Sequence, residues 1–318
     1  MRSDLPTYAQ LRARTDGPPG SSWGVFGAGD EIGALNLLTA DEVLAASRLV
    51  RKGAVFSLDY PVNEFPPNRM RPSARHTVLD VAPDWRDDYL DSFYLQQTSQ
   101  IDGLRHVRHT TYGFYGGAPV ERLTAGDPTI GVNRWADRGV VGRGVLVDVA
   151  RYRQRAGAPL DHGAGEPITV AMLEHVLAAQ GSALRPGDML LLRTDYPSYL
   201  RSLAGSPPAS SAGLEQSREM LAWLWDNRIP LAASDNNALE CGPAVATSPF
   251  CTPEVRPGNG LMHAELIAML GMVVGELWRL DELADDCEAD GVYDCMLVVK
   301  PLNVIGGVGS PPNATAIK

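Results

Sequence analysis

Basic residues are in deficit. Against 38 Asp and Glu stand 28 Lys and Arg, so the 318-residue chain carries a formal net charge of −10. That excludes the basic face that sequence-independent nucleic-acid binding needs, and it argues against docking on anionic membranes. No apolar run approaches the ~18 residues of a membrane span. The opening MRSDLPTYAQLRAR is amphipathic and has no apolar core of a signal peptide, so nothing in it marks the chain for export. Only four cysteines occur: Cys241, Cys251, Cys287 and Cys295. None forms a C-x-x-C pair or a zinc-knuckle spacing. They read as reduced thiols, and the expected location is cytoplasmic. No internal repeat is visible.

What is present is the composition of an ordinary globular protein, 44% apolar and 21% charged. Strand and helix signals interleave. NLLTADEVLAASRLVRKG reads as a helix with Thr39 and Glu42 at capping-box spacing, an apolar stripe from Val43 and Leu44, and Gly53 as its stop. ITVAMLEHVLAAQG reads as a helix capped by Thr169 and stopped by Gly181. AVFSLDYPV, GVLVDVA, GDMLLLRTDY, PLAASD, MVVGELW and YDCMLVVKPL read as strands, with helices in AWLWDN, HAELIAMLG and LDELADDC. The class is α/β or α+β around a mixed sheet, with no linker cutting the chain. Residues 63–73, rich in proline, read as a long loop of the kind that is often functional. The Pro/Ser-rich stretch 205–211 reads as an excursion.

Three clusters are candidates for chemistry. TSQIDGLRH sets Asp102, Arg105 and His106 within five residues. A histidine alone is more often a surface or satisfied core residue. Here Asp102, four residues earlier, is placed to orient the imidazole, and Arg105 offers a fork for a carboxylate or enolate. Tyr112, Tyr115 and nearby glycines suggest a ligand-lined loop. His263 and Glu276 lie thirteen residues apart across a break at Gly271 that lets a helix run into a strand. Spacing alone favours a plain salt bridge from Glu276 to Arg279. SDNNALE, ending at Glu240, follows an apolar strand and reads equally as ligand contacts or as a turn. The closing GGVGSPPNATAI lacks the G-K-[ST] ending of a phosphate loop, so no nucleotide is expected.

LQQTSQIDGLRH resembles the H-x-G-T-H-x-D-x-P-x-H signature of the cyclase family that includes kynurenine formamidases and isatin hydrolases. Its two leading histidines fall on Gln96 and Gln100, its aspartate on Asp102, its proline on Leu104 and its last histidine on His106. The branch reading S-Q-W-D-G-L-R-H is nearest, with Ile101 in place of tryptophan. WGVFGAGDEIGALNLLT, LRPGDMLLLRTDY, ASDNNALE, MLGMVVGELWRLDEL and PLNVIGGVGSPPNATAI resemble further blocks of the family in order, from about Trp23 onward.

The resemblance implies a swivelling β/β/α fold with a mixed, largely buried sheet. Residues 1–22 would form an N-terminal arm and 23–318 a single cyclase-like domain, assembled as a homodimer or higher oligomer. It implies metal ligation at positions 96, 100 and 102 with His263 and Glu276, and acid/base work at His106. Gln96 and Gln100 depart from the pattern. An amide oxygen is a weak neutral donor where zinc prefers imidazole, so manganese or magnesium, or no metal, is expected in place of zinc. The implied activity is making or breaking a C–N or C–O bond at a carbonyl of a small cyclic molecule. His106, Asp102 and Glu276 would be catalytic, Arg105 would bind an oxyanion or carboxylate, and Tyr115 and Trp23 would line the pocket. The alternative is a non-catalytic small-molecule binder that kept the fold and lost the metal.

Overall fold

The computed structural model describes residues 5–66, 71–203, 210–253 and 258–318. Residues 67–70 of the expected Pro-rich loop, and 204–209 of the Pro/Ser-rich excursion, lie outside the described residues.

One sheet of nine strands organises the chain. At its centre Val140–Asp148, Met189–Arg193, Leu231–Ser234 and Val273–Glu276 run parallel in that order. Asp294–Val299, Thr315–Ile317 and Val55–Ser57 extend one side, each antiparallel to its neighbour. Gln100–Asp102 and then Gly309–Ser310 extend the other, also antiparallel. The central strands are apolar in unbroken runs because both faces are covered. Val145, Val147, Leu190, Leu192, Ala232 and Val274 join a core with the helices Val170–Ala179 and Arg218–Asp226. Leu146, Leu191, Leu231, Ala233 and Val273 join a second core with Trp135, Trp278 and Leu283. This is the mixed α/β arrangement expected.

Local signals placed the helix starts well. Thr39 and Glu42 form the capping box of Ala40–Ser47, and Thr169 caps Val170–Ala179 through Met172 N. Other expectations need correction. The first of these helices ends at Ser47, and Val43 and Leu44 are exposed, because Ala46 is the residue it buries. The strand expected over 144–150 ends at Asp148, whose side chain caps the helix Val149–Arg155 by accepting from Arg151 N. A hairpin, Arg75–Ala82 with Trp85–Asp91, was not anticipated and is exposed along nearly its whole length. Near the N-terminus the helix Tyr8–Ala13 packs Tyr8 and Leu11 into the first core.

Candidate active site

The short strand Gln100–Asp102 is fully buried. Alternation sends Ile101 into the second core and turns Gln100 and Asp102 to the opposite face. The antiparallel register sets Gln100 opposite Glu276 and Asp102 opposite Val274. Gln100 Nε2 donates to Glu276 Oε2 at 2.5 Å. Asp102 is completely buried, and neither of its carboxylate oxygens has a hydrogen-bond partner among the described residues. Gln100 Oε1 is likewise unpartnered.

His263 reaches this strand pair from the opposite direction. It stands just before a π-helical turn, Glu265–Met269, of the kind often found at functional sites. Gly271 then reverses the chain with φ +67°, and a Cβ there would lie 2.5 Å from the Tyr115 ring. Only glycine fits that turn. The break therefore returns the chain as the strand ending at Glu276. His263 Nε2 lies 3.1 Å from Glu276 Oε1 and 4.0 Å from Asp102 Oδ2. Its Nδ1 is held by Glu240, a buried residue whose other oxygen accepts Met262 N at 2.6 Å. Glu276 is thus not the plain salt-bridge partner that spacing favoured; Arg279 pairs with Glu282 instead.

Electrostatics follow from burial. Burial raises the Asp102 carboxyl well above its ordinary range, and the Glu276 carboxylate adds to the rise. Burial opposes charge on His263, but the hydrogen bonds and charges of Glu240 and Glu276 outweigh it and raise its pKa well above the ordinary imidazole value. His106 sits beside the group, its Nε2 3.7 Å from Asp102 Oδ1, an electrostatic contact rather than a hydrogen bond. Burial, with the cations of His263 and Arg71, pushes its imidazole down to about 4, so it is neutral near pH 7.

One ligand atom each from Asp102, His263 and Glu276 lies within 4.8 Å of the others. Two buried carboxylates and two orphaned Asp102 oxygens are what a cation neutralises. The residues present therefore fit a divalent metal.

The remaining expected residues fall elsewhere. Gln96 is half-buried, its Nε2 packed where a Cβ on Gly309 would be 2.4 Å away, and its carbonyl accepts from Arg71. Arg105 is buried and donates to four backbone carbonyls, those of Thr124, Asp127, Thr129 and Gly306. Its guanidinium ties two loops together. Tyr115 is buried with its hydroxyl on Asp30 Oδ2 at 2.8 Å, and Trp23 Nε1 donates to Ala268 O at 2.7 Å. The two meet at a small cavity of about 80 Å³. Glu240 is the residue that sequence reasoning did not assign. Its only signal was its place in the polar stretch after an apolar strand.

The model of the family described as "Putative cyclase" matches residues 48–240. A solved structure described as a novel cyclase is 32% identical over 94% of this chain and 99% of its own, with a TM-score of 0.79. The chain therefore belongs to that cyclase family. Two isatin hydrolases A share the fold at lower identity. The Labrenzia aggregata protein is 15% identical, covering 87% of this chain and 97% of its own at a TM-score of 0.55. The Ralstonia solanacearum protein is 17% identical, covering 88% and 98% at 0.56. No curated protein matches the chain.

Proposed function

We propose that the chain is a hydrolase or cyclase that makes or breaks a C–N or C–O bond at a carbonyl of a small cyclic molecule. The reaction is hydrolysis of a lactam, lactone or amide, or the reverse ring closure. The observation that carries this is the buried meeting of Asp102, His263 and Glu276 beside the neutral imidazole of His106. Membership of the cyclase family supports the reaction type.

Asp102, His263 and Glu276 would hold a divalent cation, beside the buried and unpartnered amide oxygen of Gln100. The oxygen-rich set suits manganese or magnesium better than zinc. Such a cation supplies Lewis acidity at the carbonyl and lowers the pKa of an attacking water. Glu240 fixes the His263 ring, as outer partners of metal ligands do. His106, neutral near pH 7, takes a proton as the nucleophile forms and returns it to the leaving atom. Arg105 positions the chain behind His106 by holding the loops around residues 124–129 and 306. Trp23 and Tyr115 would form the aromatic wall of the substrate pocket.

We assign the working form to a homodimer in the cytoplasm. The hairpin Arg75–Asp91 supports assembly: a two-stranded hairpin is marginal in water, and here Val78, Trp85 and Tyr89 are exposed. Four free cysteines fit a reducing compartment.

A non-catalytic binder draws its support from Gln96 and Gln100. Turnover of a panel of lactams, lactones and amides with manganese, with zinc and with EDTA decides between them. Metal-dependent turnover lost in His106→Ala supports the enzyme. No turnover above that variant on any substrate supports the binder.

A further inference from the structure

A second cavity, of about 440 Å³, opens between the helix Tyr8–Ala13 and the start of the helix Arg218–Asp226. Its volume lies in the range of small-molecule sites. Its walls include Arg12, Arg218, His109, Glu265, Phe250 and Met269. Neither Arg12 nor Arg218 makes a hydrogen bond or ion pair with a described residue. Most arginines elsewhere are spent: Arg143 on Asp188 and Asp294, Arg193 on Asp148, Asp195 and Asp281.

The acid in the cavity does not answer them. Glu265 Oε1 faces His109 Nε2 at 3.5 Å, and His109 Nδ1 accepts the N–H groups of Thr111 and Tyr112 at 3.1 and 3.2 Å. Nδ1 of His109 is thereby committed to the backbone and its Nε2 faces a carboxylate. Among the described lining residues, two cations against one engaged carboxylate leave a local positive excess on a chain of net charge −10. That excess selects an anion, and the forked guanidinium favours a carboxylate. Phe250 and Leu261, both half-buried in its wall, offer apolar surface for the rest of the ligand.

We propose that this cavity is a second ligand site for a small organic carboxylate with an apolar body, held by Arg12 and Arg218. None of Asp102, His106, His263 and Glu276 lines it, although its walls continue the chain from His106 to His109 and from His263 to Glu265. The proposal does not depend on the catalytic reading.

Phenylacetate is a suitable probe, with phenylacetamide as its uncharged counterpart, titrated calorimetrically into the full chain. Phenylacetate should bind and phenylacetamide should bind at least ~10-fold more weakly. Arg12→Gln/Arg218→Gln should lose at least ~10-fold in affinity for phenylacetate, and Arg12→Lys/Arg218→Lys should retain part of it. Thermal melting of both variants confirms that they fold. Binding should survive metal removal and His106→Gln, which separates this site from the catalytic one. Phenylacetate should also slow alkylation of Cys251, an exposed thiol on the same wall. Equal binding of the amide, unchanged affinity in the double glutamine variant, binding lost with metal or in His106→Gln, or no binding at millimolar phenylacetate would each overturn the proposal.

Discussion

Gln100 Nε2 and Glu276 Oε2 are 2.5 Å apart across two antiparallel strands, and both side chains are buried. The other Glu276 oxygen faces His263. The amide therefore spends its donor on a carboxylate that would bind metal, while its own oxygen stays unpartnered. An imidazole at position 100 would instead offer a strong zinc donor. Wild-type protein is expected to retain less than one zinc per chain through dialysis against EDTA. Gln96→His/Gln100→His should raise zinc affinity by ~10-fold or more. Elemental analysis after dialysis measures both, and stoichiometric zinc in the wild type would sink the reading.

His106 is neutral near pH 7 and borders the cluster, so it can carry a proton. His106→Gln keeps size and hydrogen bonding but not the shuttle. Both His106→Gln and His106→Ala should lose ~10²–10⁴-fold in kcat while still binding substrate. A glutamine variant with near-normal kcat and a raised KM would leave His106 as a positioning group only.

Glu240 holds the Nδ1 face of His263 from the segment that follows the strand Leu231–Ser234, far from the motif. Glu240→Gln should weaken manganese binding ~10–100-fold, the usual effect of losing a ligand's outer partner. Because Glu240 also accepts Met262 N, the variant's melting temperature must be compared alongside. Unchanged metal affinity in a folded variant would show that the pair is structural.

These cases show what a sequence discloses. The caps at Thr39 and Thr169 were legible because they depend on residues three positions apart. The strand at Leu190–Leu192 was legible because both its faces meet apolar cores. The strand Gln100–Asp102 was not, because two of its three residues are polar and only pairing with residues 274–276 makes it a strand. The hairpin carries charges and apolar residues on faces that are both exposed, so no period marks a core. Arg105 looked like a ligand fork because composition does not reveal that four carbonyls fold back onto it. Glu240 and His263 lie 23 residues apart, and nothing local joins them.

The exposed hairpin leads to the prediction on assembly. Trp85 is 73% exposed and Val78 55%. If a second copy covers them, light scattering should give about twice the 34.2 kDa chain mass at micromolar concentration. Trp85→Asp with Val78→Asp should shift the protein toward monomer without unfolding it. A wild-type monomer would remove the dimer from the proposal.

The last prediction concerns pH and lies away from the cluster. Asp59 accepts the Ala314 N–H at 2.6 Å, in the corner where the first strand meets the C-terminal segment. Burial pushes its carboxyl up to about 6, against the pull of the backbone donors. A carboxyl raised in the folded state binds its proton more tightly there than in the unfolded chain. Its contribution to stability is therefore complete below the unfolded value near 4. It is lost as pH rises through about 6. Asp59→Asn keeps an acceptor for Ala314 and removes the titration. The stability of the variant relative to wild type should therefore rise between pH 4 and pH 7.5, by on the order of 1–2 kcal/mol after allowing for solvent screening. Urea denaturation of both proteins at the two pH values gives that difference directly. A difference that is the same at both would mean that Asp59 titrates in the folded protein as it does in the unfolded chain.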